Sequence, residues 1–162
     1  MIIIGIDPGY AIVGVGVVNY IGNRFELLEA RAVTTQAGEV FEKRLCDIYT
    51  QTEALVTEHR PAAMAIEKLF FNSNAKTAID VAQARGVILL AAARHGVPVY
   101  EYTPLQVKQS VVGYGRAEKK QVQDMVRLLL HLAACPKPDD VADALAIAIC
   151  HAHSNTSLLQ YR

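Results

Sequence analysis

The chain has 162 residues, of which 52% are hydrophobic and 20% charged, and its formal net charge is zero. That length suits one domain with a core of its own, and the composition excludes a disordered chain. No apolar run approaches the roughly 18 residues that span a bilayer, the start Met1-Ile2-Ile3-Ile4-Gly5 has neither the basic stretch nor the cleavage site of a signal peptide, and Cys46, Cys135 and Cys150 form no Cys-x-x-Cys pair; together these predict a cytoplasmic protein with reduced thiols and no membrane partner.

In chain order, residues 1–7 form an apolar, β-branched strand closed by the turn Asp7-Pro8-Gly9. Residues 11–20 and 25–34 read as two further strands split by Gly22-Asn23, so these three are expected to pair antiparallel. The period then changes: Phe41, Leu45, Ile48, Thr52 and Leu55 recur at three and four, an amphipathic helix that Pro61 closes. Residues 63–67 form a short strand, 75–95 a long helix ending at Gly96, and 97–102 another strand. Thr103-Pro104 supplies an N-cap and a first-turn proline for a short helix that Gly113 and Gly115 break. Helices over 119–132 and 140–153 follow, then a polar tail from Ser154; His151 and His153 are read as surface or helix-end residues. The order predicts an α/β fold with a mixed sheet, a single domain over 1–153 and a C-terminal tail over 154–162.

Charge is unevenly spread. Residues 68–127 hold nine Lys or Arg against four Asp or Glu, a net +5 inside a neutral chain. Such a segment can make a basic face for nucleic acid, and ordinary solvated helix surfaces produce the same count. Lys76, Arg85, Arg94, Arg116, Lys120 and Arg127 fit either description. Gly113-Tyr114-Gly115-Arg116 reads as a mobile loop able to order on a ligand.

Four carboxylates stand where a carboxylate is locally odd. Asp7 and Glu67 each end an apolar strand, while Asp140 and Asp143 open a helix whose next seven residues, 144–150, are all apolar. Each alone has a plain structural account: a turn residue for Asp7, a strand end beside Lys68 for Glu67, and helix-capping acids for Asp139, Asp140 and Asp143. Taken together, strand ends and a helix N-terminus can meet at one sheet edge. Carboxylates gathered there repel unless cations neutralise them, and oxygen ligands select Mg²⁺ or Mn²⁺. Two such ions can activate a water and stabilise the leaving oxygen of a phosphodiester.

The segment Ile4-Gly5-Ile6-Asp7-Pro8-Gly9 resembles the opening motif of RuvC-type Holliday-junction resolvases in the ribonuclease H-like superfamily. Glu67-Lys68-Leu69-Phe70-Phe71, Gln83-Ala84-Arg85-Gly86, Gln106-Val107-Lys108-Gln109, Ala117-Glu118-Lys119 and Asp140-Val141-Ala142-Asp143-Ala144-Leu145-Ala146 are similar to further family stretches, in order, over residues 1–153. The resemblance implies a ribonuclease H-like mixed sheet with its first three strands antiparallel. It also implies a Mg²⁺-dependent endonuclease of DNA recombination and repair, using two metal ions per site held by Asp7, Glu67, Asp140 and Asp143, with Mn²⁺ as a substitute. Some relatives carry histidine where this chain has Asp140. Lys108 and Lys119 match lysines that approach DNA near the scissile phosphate, Phe70 matches an aromatic that stacks on a base at the junction centre, and Phe71 rivals it in register. Arg116 and Lys76 join this set as DNA-binding candidates.

Three other functions compete: a ribonuclease H-like nuclease acting on RNA, an actin-like nucleotide-binding protein, and a catalytically inert junction-binding module. The absence of an internal repeat in 162 residues argues against the second, and the presence of all four acids argues against the third. The implied partners are a four-way DNA junction, a second copy of the chain, and a branch-migration motor with its junction-binding protein. For the homodimer, the helix over 75–95 is apolar around nearly its whole circumference, which requires burial on more than one side, either deep within the monomer or at an interface.

Overall fold

Five strands and five helices make up the computed structural model, which describes residues 1–69 and 75–160, the side chains of 75–76 and 156–160 excepted. The order is β1 (Ile2–Asp7), β2 (Ile12–Ile21), β3 (Arg24–Thr34), α1 (Phe41–His59), β4 (Ala63–Glu67), α2 (Ala75–Arg94), β5 (Val99–Tyr102), α3 (Pro104–Val112), α4 (Lys119–Leu129) and α5 (Asp139–Gln160). They form one sheet in the order β3-β2-β1-β4-β5. β1, β2 and β3 pair antiparallel, while β4 and β5 join parallel, each after a helical crossover. The mixed α/β sheet and its antiparallel first three strands are therefore as expected.

Strand alternation decides the layers. In β1 and β4, Ile4, Ile6, Met64 and Ile66 point to one face, where they pack with Ile48 and Leu55 of α1 and with Ala84, Ile88 and Ala92 of α2. Ile3 and Ala65 point to the other face, against Leu145, Ala148, Ile149 and Ala152 of α5 and the inner sides of α3 and α4. Both central strands are covered on both faces, which is why they read as unbroken apolar runs.

Two sequence expectations change in detail. The last helix continues to Gln160 instead of stopping at His153. His151 is not on the surface: it is 2% exposed, and its Nδ1 lies 2.7 Å from the Tyr102 hydroxyl. The helix turns its position 151 toward β5, one side of a stripe that includes the buried Ile147, Ala148 and Ala152. The long α2 buries Ala84, Ile88, Ala91 and Ala92 but leaves Ile79 65% and Leu90 51% exposed, so the monomer covers only part of its apolar circumference. Among the described residues, no helix is long and apolar enough to cross a membrane.

Candidate active site

β1 and β4 run parallel with Ile6 opposite Ile66, so their last residues, Asp7 and Glu67, stand side by side at the carboxyl edge of the sheet. Alternation turns both toward α5, on the same face as Ile3 and Ala65. The row continues outward on both sides: Asp7 is the partner of Gly14 on β2, and Glu67 is the partner of Tyr102 on β5.

Glycines bring the other two acids to this row. A Cβ on Gly14 would lie 1.9 Å from the Asp140 carbonyl oxygen, and one on Gly5 2.0 Å from that of Ala144. At Gly16 it would meet Leu145 Cδ2 at 2.5 Å. Helix α5 thus rests directly on the backbones of β1 and β2, with its first turn over Gly14 of β2, the neighbour of Asp7. Glycine inside a strand weakens it and marks such a close approach. That spacing of glycines at 5, 14 and 16 was the signal in the sequence for where the helix sits.

The gathered charge shows in the acids themselves. Asp7 is pushed up to about 8, first by burial, then by the charges of Glu67 and Asp143, a hydrogen bond with Glu67, and the charge of Asp140. Glu67 is also raised, chiefly by burial, with Asp143 adding to it; its hydrogen bond to Asp7 and the charge of Lys119 pull the other way. Two adjacent half-buried carboxyls sharing a proton is the behaviour of like charges held together in a poorly solvating place.

Two lysines face the acids. Thr103 caps α3 through a reciprocal pair of bonds with Gln106, its Oγ1 accepting from the Gln106 amide at 3.2 Å and its own amide donating to Gln106 Oε1 at 2.8 Å. Gly113, at φ 99°, ends that helix in the left-handed conformation that favours glycine. Lys108, on α3, thereby lines a cavity of about 240 Å³ together with Glu67, Lys119 and Asp143. Its walls are apolar: Val107, Val122, Ala146 and Ile147. Among the described residues Lys108 makes no ion pair.

Lys119 is the first residue of α4, after the capping residue Glu118. A cation there opposes the helix dipole. The offset comes from Asp143, whose Oδ2 is 2.9 Å from Lys119 Nζ, with Asp139 Oδ2 at 3.6 Å. The hydrogen bond to Asp143 raises the Lys119 ammonium above its usual range, so it stays charged.

The remaining candidates are placed less centrally. Arg116 is exposed in the loop between α3 and α4 and does not line the cavity. Phe70 and Phe71 lie outside the described residues, as does the side chain of Lys76 in the first turn of α2. The ion pairs of Asp139 with Lys119 and Lys137 were not anticipated. Nor was a grouping of Glu29, Glu58 and His59, whose ligand atoms all lie within 4.8 Å of one another. There Glu29 already pairs with Arg31 at 2.9 Å and His59 at 2.7 Å, which accounts for the grouping as an ion-pair node.

The family of crossover junction endodeoxyribonucleases, RuvC, matches residues 3–151. The chain belongs to the RuvC family. The RuvC protein of Ruminiclostridium cellulolyticum is 61% identical over 155 residues, covering 96% of this chain and 93% of its own. RuvC of Thermus thermophilus has a TM-score of 0.92 at 40% identity, over 97% of this chain and 96% of that one. A second structure, T. thermophilus RuvC in complex with Holliday junction substrate, gives 0.90 at 38% identity with the same coverage. Membership makes this chain an endodeoxyribonuclease and sets aside the RNA-cutting, actin-like and inert readings. The RuvC match spans all four acids and both lysines.

Proposed function

We propose that this chain resolves four-way DNA junctions by paired, symmetric nicks, with Asp7, Glu67, Asp140 and Asp143 holding divalent cations. The observation that carries the reading is the convergence of two strand-end carboxylates with the first turn of α5, close enough to push Asp7 to about 8. All the donors are carboxylate oxygens, which suits Mg²⁺, with Mn²⁺ as a substitute. Among the described residues, the cation paired with these acids is Lys119, on Asp143. The residues therefore fit a metal pair. When bound, such ions supply Lewis-acid activation of water and neutralise charge on the phosphate oxygens.

The chain's own groups do the rest. Lys108 and Lys119 face the cavity and orient the scissile phosphate by charge-assisted contacts. The apolar walls exclude bulk water, which strengthens each of those contacts. Asp7 and Glu67 would hold a cation as carboxylates, and so would release their shared proton on binding it. Phe70, on the segment after Glu67, is the base-stacking candidate, with Phe71 its rival; Arg116 and Lys76 add contacts to the DNA backbone.

We read residues 1–153 as one nuclease domain with 154–162 as its tail, working in the cytoplasm beside a branch-migration motor and its junction-binding protein. The active unit is a homodimer through α2. Ile79, Gln83, Gly86, Leu90 and Ala93 recur at four and three along its exposed side, the spacing of a helix–helix seam. A Cβ at Gly86 would meet nothing within 4 Å, so a second helix can approach there. Two-fold symmetry then places two identical sites on a substrate that needs two nicks.

The deciding experiment incubates the protein with a four-way junction, linear duplex and single-stranded RNA, in Mg²⁺, in Ca²⁺ and in chelator. Symmetric nicks in the junction with Mg²⁺ alone support the reading. Cleavage that persists in chelator, or that prefers RNA, removes it.

A further inference from the structure

Four groups alternate in charge along the rim of the cleft. Lys137 Nζ lies 2.8 Å from Asp139 Oδ1; Asp139 Oδ2 lies 3.6 Å from Lys119 Nζ; Lys119 Nζ lies 2.9 Å from Asp143 Oδ2. Asp139 and Asp143 are four apart on α5, so they share one helical face, and Lys119 reaches across from α4 to bridge them. The two acids differ in setting. Asp143 acts on both Asp7 and Glu67. Asp139 is the more exposed, at 44% against 31%.

On the reading that Asp143 is a metal ligand, Lys119 and a divalent cation compete for one carboxylate. Lys119 sits on Asp143 Oδ2, so a dication taken by that oxygen repels the ammonium and favours its displacement, with water or Asp139 to receive it. Asp139 is already near hydrogen-bond distance, so a shift of well under the length of the side chain completes the transfer. Lys137, on the opposite oxygen, holds the Asp139 carboxylate in place for it.

We propose that Asp139 is a positioning residue for Lys119: it draws the ammonium off Asp143 when a cation takes that carboxylate, and keeps it at the mouth of the cleft to meet a phosphate. A plain helix-dipole role for Asp139 accounts for its place in the first turn of α5, but not for the bridging lysine.

The test is a double-mutant cycle on Mn²⁺ affinity, read by electron paramagnetic resonance in the absence of DNA. The proteins are the full-length parent, Asp139→Asn, Lys119→Met and the double variant. Without Asp139, Lys119 settles on Asp143 alone and resists the cation, so Asp139→Asn weakens Mn²⁺ binding by about three-fold, the range of a partly exposed ion pair. Lys119→Met tightens binding, and in that background Asp139→Asn has clearly less effect. Turnover gives a second readout: Asp139→Asn lowers kcat on saturating junction and leaves KM unchanged, because the displaced lysine acts on the phosphate during the chemical step. Equal effects of Asp139→Asn in both backgrounds, with the parent still binding Mn²⁺, overturn this proposal alone. A folded parent that binds no Mn²⁺ overturns the metal reading beneath it as well. Thermal unfolding of each variant confirms that the proteins compared are folded.

Discussion

The Asp140 carbonyl lies over Gly14 with no room for a methyl group: a Cβ there would come to 1.9 Å of the oxygen. The contact is backbone on backbone, so no side chain can rotate to relieve it. Gly14→Ala must lift the first turn of α5 or distort β2. The expected cost is about 3 kcal/mol, at the upper end of overpacking, measured by denaturant unfolding. Because Asp140 and Asp143 ride on that turn, Mn²⁺ affinity falls with it. Wild-type stability in Gly14→Ala would show that α5 is seated less tightly than this.

Asp7→Asn keeps the shape of the side chain and removes its charge. The expected outcome is loss of cleavage with junction binding retained, since binding rests mainly on phosphate contacts. The substitution also has a signed effect on stability. Asp7 is raised from its ordinary 3.8 to about 8 in the folded chain, so the native state holds a proton there that the unfolded state releases. The associated stability is complete below about pH 4 and is lost as pH rises through 8. In chelator, Asp7→Asn should exceed the parent in stability by several kcal/mol at pH 8 and match it near pH 4. Thermal unfolding at both pH values checks this; the same gain at each would assign the effect to packing instead of charge.

Lys108 has no ion pair within the described chain and lines the cleft beside Glu67 and Asp143. If it meets a phosphate, Lys108→Ala lowers the slope of log affinity against log salt by about one. Lys119→Ala should do the same and should also strengthen Mn²⁺ binding, since it frees Asp143. Junction titrations at several salt concentrations separate the two. An unchanged slope for Lys108→Ala returns that lysine to the solvated surface.

The dimer reading turns on Leu90, half-exposed at the middle of the α2 seam. Leu90→Glu places a charge there without touching the α1 side of the helix, where Ile88 and Ala92 are buried. Sedimentation at micromolar concentration should show a dimer for the parent and a monomer for the variant, a loss of at least about ten-fold in affinity. A parent that sediments as a monomer yet nicks the junction symmetrically would dismiss the interface.

Much of this arrangement is legible in the amino-acid sequence. Asp7 and Glu67 betray themselves because each closes an apolar strand, and a strand's alternation leaves little doubt about which face its end residue takes. Asp140 and Asp143 stand out because the residues after them are uniformly apolar. What stayed hidden is tertiary. The bridge from Lys119 to Asp143 joins residues 24 apart through the packing of α4 on α5, and no spacing rule encodes that. His151 misled for a related reason: its polarity suggested surface, but Tyr102 on β5 offers a partner inside. The breadth of the apolar surface on α2 was readable; which strip of it the monomer leaves open depends on where α1 lies.

The seating of α5 on glycines has a thermal consequence. Two of the four acids are carried by a helix with no adjustable cushion beneath it, and the other two end the strands on which it rests. The site therefore has no softness of its own. It shares the cooperativity of the core, with Leu145, Ala148 and Ile149 as much a part of its alignment as the carboxylates. On heating, cleavage should hold until the protein unfolds and vanish together with it, with no interval in which a folded chain has lost its catalytic geometry.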